Sequence, residues 1–393
     1  MDFGYSKEEE EFRERLKEFL DRELTEEIAR QNWEEKGVGP EAREFSRKLA
    51  RNGFLGMSWP KEYGGRGLSP NYEFILYDEL GKRWGCHVPL DIGYTMVGPT
   101  ILKRGSEELK REFIPRIIRG EIEFCLGYTE PNAGSDLASI QMKAVEKEDC
   151  FIITGQKTFN TECHYADYHW LAARTDWNSS KPRHYGISIF IVDMDAPGIT
   201  VRPLWTMSGE RTNEVYYDEV RVPKSRLVGE KNKGFYYMME ALASERNQVF
   251  IPMRLMPILL DLVDYVKSSG CESTQLCHDP IIRDKLAQMA VELEVAQVLA
   301  ERSRWMESMG MRMTYEPEMT KLFVSELEQR LVEVGMEVLG VFGPLVEGSD
   351  WVQLRGRIAW YYLHSFMTTI GGGTSEIGRS LIAQRGLGLP RSY

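Results

Sequence analysis

The sequence has no apolar run near the roughly 20 residues that a helix needs to cross a bilayer, which argues against a membrane-spanning helix. The opening stretch MDFGYSKEEEEFRERLKEFL is strongly charged and lacks an apolar signal core, so the expected location is cytoplasmic. Cysteine is sparse: six residues are scattered over 393 positions, which suits a reducing compartment and argues against a disulfide framework. Cys271, Cys277 and His278 fit no common zinc spacing, and no second cluster accompanies them. An excess of positive charge is also missing. The formal net charge is −11, which argues against a nucleic-acid binder yet leaves room for a locally basic anion site. Internal repeats and low-complexity segments are absent.

What is present reads as a folded chain, 42% hydrophobic and 28% charged, long enough for two or three domains. Phe12, Leu16, Phe19, Leu20 and Leu24 recur at helical spacing over 6–31, and Ser6 with Glu9 forms a capping box. A second helix is expected from Glu41 to Asn52, then an irregular loop through Trp59-Pro60-Lys61-Glu62-Tyr63-Gly64-Gly65-Arg66-Gly67. Helices follow over 70–85, 90–104 and 106–119. From about Glu121 the texture changes. Phe151–Ile153, Trp170–Ala173, Ile187–Val192, Ile199–Pro203 and Glu214–Val222 read as short strands of a compact β-domain. Amphipathic helical patterns resume over 234–268, 279–308, 317–341 and 351–369, with Pro252 and Pro257 interrupting the first. The expected domains are therefore 1–120 helical, 121–232 β and 233–393 helical, an α+β arrangement.

Three segments stand out chemically. Tyr128-Thr129-Glu130-Pro131-Asn132-Ala133-Gly134-Ser135-Asp136 is a turn offering N–H and hydroxyl donors, although such turns are common. Gly155-Gln156-Lys157-Thr158-Phe159-Asn160-Thr161 follows. Near the end, Gly371-Gly372-Gly373-Thr374-Ser375-Glu376-Ile377 permits close backbone approach to a ligand, or is simply a loop capped by Thr374 or Ser375.

In this order and separation, with Arg211-Thr212-Asn213-Glu214-Val215, Val222-Pro223 and the closing GLGLPR, the set resembles the acyl-CoA dehydrogenases over essentially the whole chain. The resemblance implies an N-terminal helical domain, a β-barrel-like middle domain and a C-terminal four-helix bundle. It implies FAD between the last two, a homotetramer or homodimer, and transfer of electrons from an acyl-CoA substrate to an electron-transferring flavoprotein. By similarity, Tyr128, Thr129, Gly134 and Ser135 line the flavin, Ser135 also touching the CoA side. Phe159 and Thr161 match the strand behind the isoalloxazine, with Phe159 where an indole is common. Thr374 and Glu376 match the turn at the flavin nucleotide, and Thr212 and Arg246 are assigned to the substrate.

The reaction needs a base for the α-proton and donors for the thioester oxygen. In many members the base immediately precedes the Gly-Thr-Ser turn, where this chain has Gly372. The isovaleryl and long-chain branch carries its glutamate on an earlier helix before an arginine, which matches Ala243-Ser244-Glu245-Arg246. Glu245 is thus the expected base, and the Gly372 N–H the expected oxyanion donor. Two departures concern the cross-subunit FAD contacts. The Cys271–His278 stretch has no arginine where an Arg-x-x-Phe-Gly motif is usual, and Glu337 replaces a frequent glutamine. They leave open a second reading, a non-catalytic or FAD-sharing subunit of a mixed oligomer, and a third, another flavin reaction on the same fold.

Overall fold

The computed structural model describes residues 3–25, 27–28, 39–83, 92–178, 180–248, 252–268 and 276–390, and within helix Gly234–Gln248 the side chains of Glu245, Asn247 and Gln248 lie outside the described set. The chain divides into two compact units that do not follow chain order. One gathers Met1–Asp21, Pro70–Cys86 and Arg246–Tyr393; the other gathers Arg22–Ser69 and His87–Glu245.

The first unit is helical. Helices Met256–Ser268, Pro280–Ser308, Glu316–Leu339 and Arg357–Thr368 pack on one another around Leu262, Leu293, Leu331 and Ile358, each 2% exposed or less. The N-terminal helix begins at Lys7, and its capping box closes in both directions: Ser6 N donates to Glu9 Oε2 at 2.8 Å and Glu9 N donates to Ser6 Oγ at 3.2 Å. Arg13 holds this helix to Asn71–Gly81 through Asp78 and Glu79. The helical pattern expected over 234–268 breaks as the prolines require. Helix Gly234–Gln248 is followed, after 249–251, by a 3-10 turn at Pro252–Leu255 and a new helix at Met256. The helix expected from 351 starts only at Arg357. Residues Leu354 and Arg355 adopt φ of 48° and 58°, a left-handed conformation that a right-handed helix cannot include.

The second unit is built on a mixed sheet of eight strands, ordered β6-β7-β3-β2-β4-β5-β8, with β1 pairing β4. Their spans are β1 Phe124–Gly127, β2 Lys143–Glu146, β3 Cys150–Lys157, β4 Tyr168–Arg174, β5 Ile187–Asp193, β6 Ile199–Trp205, β7 Arg211–Pro223 and β8 Leu227–Val228. β1 and β2 both run parallel to β4; the other pairs are antiparallel. All seven residues of β4 are buried, which fits its apolar run Trp170–Ala173, whereas no residue of β6 is fully buried. Phe151, Leu171, Phe190 and Val215 form the centre of this core.

His169 on β4 sits in that core without exposure, and its Nδ1 lies 2.7 Å from the Tyr217 hydroxyl. Burial, aided by the nearby Lys157 charge, pushes its pKa down to about 3. The folded pKa lies below the unfolded value, so the folded state refuses a proton that the unfolded chain accepts as pH falls through about 6.5. Between pH 7 and pH 5 this removes about 2 kcal/mol of stability. Glu79, held near 2, acts only at lower pH, while Glu123 and Glu318, raised by burial, act in the opposite sense. Denaturant midpoints of wild type and His169→Asn at both pH values isolate the histidine. The variant should lose this part of the acid sensitivity, and identical pH dependence in both would refute the assignment.

Candidate active site

In the sheet-bearing unit the two central motifs are held together by a buried ion pair. Lys157, with no exposed surface, donates from Nζ to Glu130 Oε1 at 2.8 Å and to the Tyr128 carbonyl at 3.0 Å. Glu130 also accepts from the backbone N–H groups of Gln141 and Met142. Burial pushes the Lys157 pKa down to about 8 even beside that carboxylate. Thr158 N donates to Thr129 O at 3.0 Å, completing the seam, and Glu130 and Ala133 close the turn by exchanging backbone hydrogen bonds. Tyr128 is fixed further by Trp170, whose Nε1 donates to its hydroxyl at 2.9 Å. Thr129 is half-buried, while Gly134 and Ser135 are exposed at the outer side of the turn.

Phe159 and Thr161 do not lie on a strand, contrary to expectation. β3 ends at Lys157, and φ of 57° at Phe159 and 69° at Glu162 turns the chain out of the extended region. Phe159 is 63% exposed. Asn213 on β7 anchors this turn: Asn160 N donates to Asn213 O, and Asn213 Nδ2 donates to Asn160 O, each at 2.9 Å. Thr161 and Thr212 bring their hydroxyls to 3.4 Å. Tyr128, Thr129, Phe159, Thr161 and Thr212 therefore share one locality, joined by the Lys157 seam and the Asn213 anchor.

In the helical unit the triple-glycine turn carries its own set. Gly372 and Gly373 adopt φ of 66° and 108°. Arg246 Nε donates to Gly372 O at 2.7 Å, and its guanidinium pairs with Glu318. Lys321 Nζ donates to Gly373 O at 2.7 Å. Among the described residues no backbone carbonyl accepts from the Gly372 N–H. Thr374 caps helix Ser375–Leu381, its Oγ1 accepting from Ile377 N at 3.3 Å. A cleft of about 430 Å³ opens beside this cap, lined by Gln329, Glu333, Thr374, Ser375 and Glu376. Ser375 Oγ is buried there without a protein partner. The Glu376 carboxylate is held below its usual range by its own N–H and the Thr374 hydroxyl, so it is ionised at neutral pH.

Comparison with known proteins decides what these motifs belong to. Family models match in sequence: the acyl-CoA dehydrogenase N-terminal domain over residues 6–121, the middle domain over 125–220 and the C-terminal domain over 232–387. The chain belongs to the acyl-CoA dehydrogenase family. It is an oxidoreductase acting on acyl-CoA, and its helical and mixed-sheet parts have the acyl-CoA dehydrogenase fold. Acyl-CoA dehydrogenase FadE26 of Mycobacterium tuberculosis is 34% identical over 401 residues, covering 100% of both chains. Among solved structures, a "Tcur3481-Tcur3483 steroid ACAD" matches with a TM-score of 0.90 at 34% identity, covering 100% of each chain. The ChsE4-ChsE5 complex from Mycobacterium tuberculosis matches with a TM-score of 0.89 at 34% identity over 100% of each chain.

Sequence reasoning missed Glu130 and Lys157 as a buried pair, and it missed Asn213, Glu318 and Lys321. Lys157 carries a usable signal, since it sits at an inward position of an alternating strand, where a charge demands a partner. Glu318 and Lys321 are spaced i, i+3 on one helix face and read from sequence as a solvated pair. Within the described helices, none is long and apolar enough to cross a membrane.

Proposed function

We propose that this protein is an FAD-dependent acyl-CoA dehydrogenase that uses Glu245 as base and the Gly372 N–H as a donor to the thioester oxygen. The carrying observation is the bond from Arg246 to the Gly372 carbonyl. It anchors the glycine turn on the residue immediately after Glu245, while Gly372 itself has no side chain to act as base. Abstraction of an α-proton by a carboxylate requires that the developing oxyanion be met by donors, and a main-chain N–H that no described backbone carbonyl accepts suits that task.

The residues present fit FAD. The cleft at the Thr374 cap has an orphaned hydroxyl at Ser375 and an ionised Glu376. Arg330 and Arg379 line the same cleft, so it offers acceptors for ribose hydroxyls beside cations for phosphate, which suits the nucleotide end of the cofactor. Tyr128, Thr129, Gly134, Ser135, Phe159 and Thr161 supply the donors and the aromatic face for the ring system. When bound, FAD accepts the β-hydride; the protein's part is to orient both partners, hold the α-proton at Glu245 and keep water out. Reoxidation is assigned to an electron-transferring flavoprotein.

The acyl group is assigned to bulky, ring-bearing acids, on the similarity to a steroid acyl-CoA dehydrogenase over the full chain. The same similarity favours a second reading of the assembly. Both structural relatives are named as pairs of different chains, and the stretch Cys271–His278 lacks the usual arginine. The chain would then share its FAD with a related but different subunit. An anaerobic spectral titration with a panel of straight-chain and steroid-side-chain acyl-CoAs tests the function. Bleaching of the flavin band by the ring-bearing thioesters is the expected result. A yellow protein that no thioester bleaches would overturn the reaction, and a colourless chain that turns yellow only on co-expression would establish the second assembly.

A further inference from the structure

Three charged side chains surround the glycine turn, and all are nearly inaccessible: Arg246 is 7% exposed, Glu318 4% and Lys321 1%. Moving such groups out of water costs several kcal/mol per ion, so a buried ionic set is a poor way to gain stability alone. Its geometry is selective. Two consecutive carbonyls, those of Gly372 and Gly373, are each taken by a different cation. In a trans peptide the carbonyl shares its plane with the next N–H, so seating these carbonyls fixes the Gly372–Gly373 and Gly373–Thr374 planes, the two that directly follow the Gly372 donor. Glycine otherwise visits both hands of φ almost equally, and this turn needs positive values at both residues. The fit is close in the other direction too. A Cβ built on Gly373 would lie 2.9 Å from Arg246 Nη2, so the guanidinium occupies the space that a side chain there would need.

We propose that Arg246 and Lys321, with Glu318 as the counter-ion of Arg246, are positioning residues that clamp Gly372–Gly373 in one conformation. The clamp holds the backbone on the C-terminal side of the Gly372 N–H, the donor assigned to the thioester oxygen, and one of its two cations is the residue that follows the base. This rests on the dehydrogenase reading above, extends it to Glu318 and Lys321, and gives Arg246 a hold on the glycine turn in place of the substrate contact that the resemblance implied. Arg246 carries the argument because it follows the base directly in sequence and donates to the Gly372 carbonyl. Lys321 supplies an independent hold from helix Glu316–Leu339.

The test uses the FAD-loaded protein and a conjugated aryl enoyl-CoA, whose absorption band moves to the red when donors polarise its thioester carbonyl. Wild type should show the shift. Lys321→Met and Arg246→Lys should each lose at least half of it and slow flavin reduction about 10–100-fold, below the full loss of an oxyanion donor. KM for the acyl-CoA should change less than about threefold, because the interaction lost belongs to the transition state. Lys321→Arg, which keeps a cation and a donor, should recover most of both. A slowed variant with the full red shift would make these residues merely structural and overturn the proposal, as would unchanged shift and rate. If Lys321→Met yields no yellow protein, the shift in Arg246→Lys decides. Absence of the shift in wild type would overturn the dehydrogenase reading, and the clamp with it.

Discussion

Glu245→Gln should bind FAD and acyl-CoA normally and lose flavin reduction by about 10²–10⁴-fold, the usual contribution of a general base. The amide matches the carboxylate in size and cannot accept the α-proton. It leaves untouched the guanidinium of Arg246, which is bonded to Gly372 and Glu318. The oxyanion donors should therefore remain, and the variant should still polarise a bound enoyl-CoA. That combination, polarisation without reduction, separates loss of the base from collapse of the site. Glu245→Asp should fall between, since the shorter side chain places the carboxylate about 1 Å too far for good proton transfer. Stopped-flow reduction at saturating substrate is the measurement. Near-normal rates in Glu245→Gln would sink the assignment and send the search for the base elsewhere.

The second large effect is on stability. Lys157→Met should destabilise the protein by about 3–5 kcal/mol, because it strands the Glu130 carboxylate in the interior rather than removing a surface charge. Glu130 keeps its two backbone donors at Gln141 and Met142, which favours the lower end of that range. The Tyr128 carbonyl also loses its partner, so the turn carrying Tyr128 and Thr129 should loosen and FAD content should fall with it. Adding Glu130→Gln should restore part of the loss, since the pair is then removed as a unit. Chemical denaturation of the single and double variants checks this. A single-variant loss under about 1 kcal/mol would mean the ammonium is not the carboxylate's essential partner.

The helical regions were legible because their apolar residues recur at a helical period, and the prolines at 252 and 257 marked where one helix gives way to the next. β3 to β7 were legible as apolar or alternating runs. β1 and β2, of four residues each, and β8, of two, fell below the length at which a period can be read. Phe159 shows a different limit. Nothing local in Lys157-Thr158-Phe159 announces a left-handed aromatic; the turn is imposed by Asn213, more than fifty positions away in the chain. The candidate site was legible through the family's motifs, which name the residues expected to face ligands. The charges behind them were not, because Glu130, Lys157, Glu318 and Lys321 acquire meaning only once the fold removes them from water.

The positive φ of 66° at Gly372 has an evolutionary consequence. A glutamate reinstated there would sit in the left-handed region at a cost of about 1–2 kcal/mol, and would add a second acid to a turn already seated on two cations. On the proposed assignment of the base to Glu245, the backbone of this turn weighs against a return of the base to position 372. Once the turn has settled into a form that only glycine adopts freely, single substitutions lead away from the old arrangement more readily than back to it.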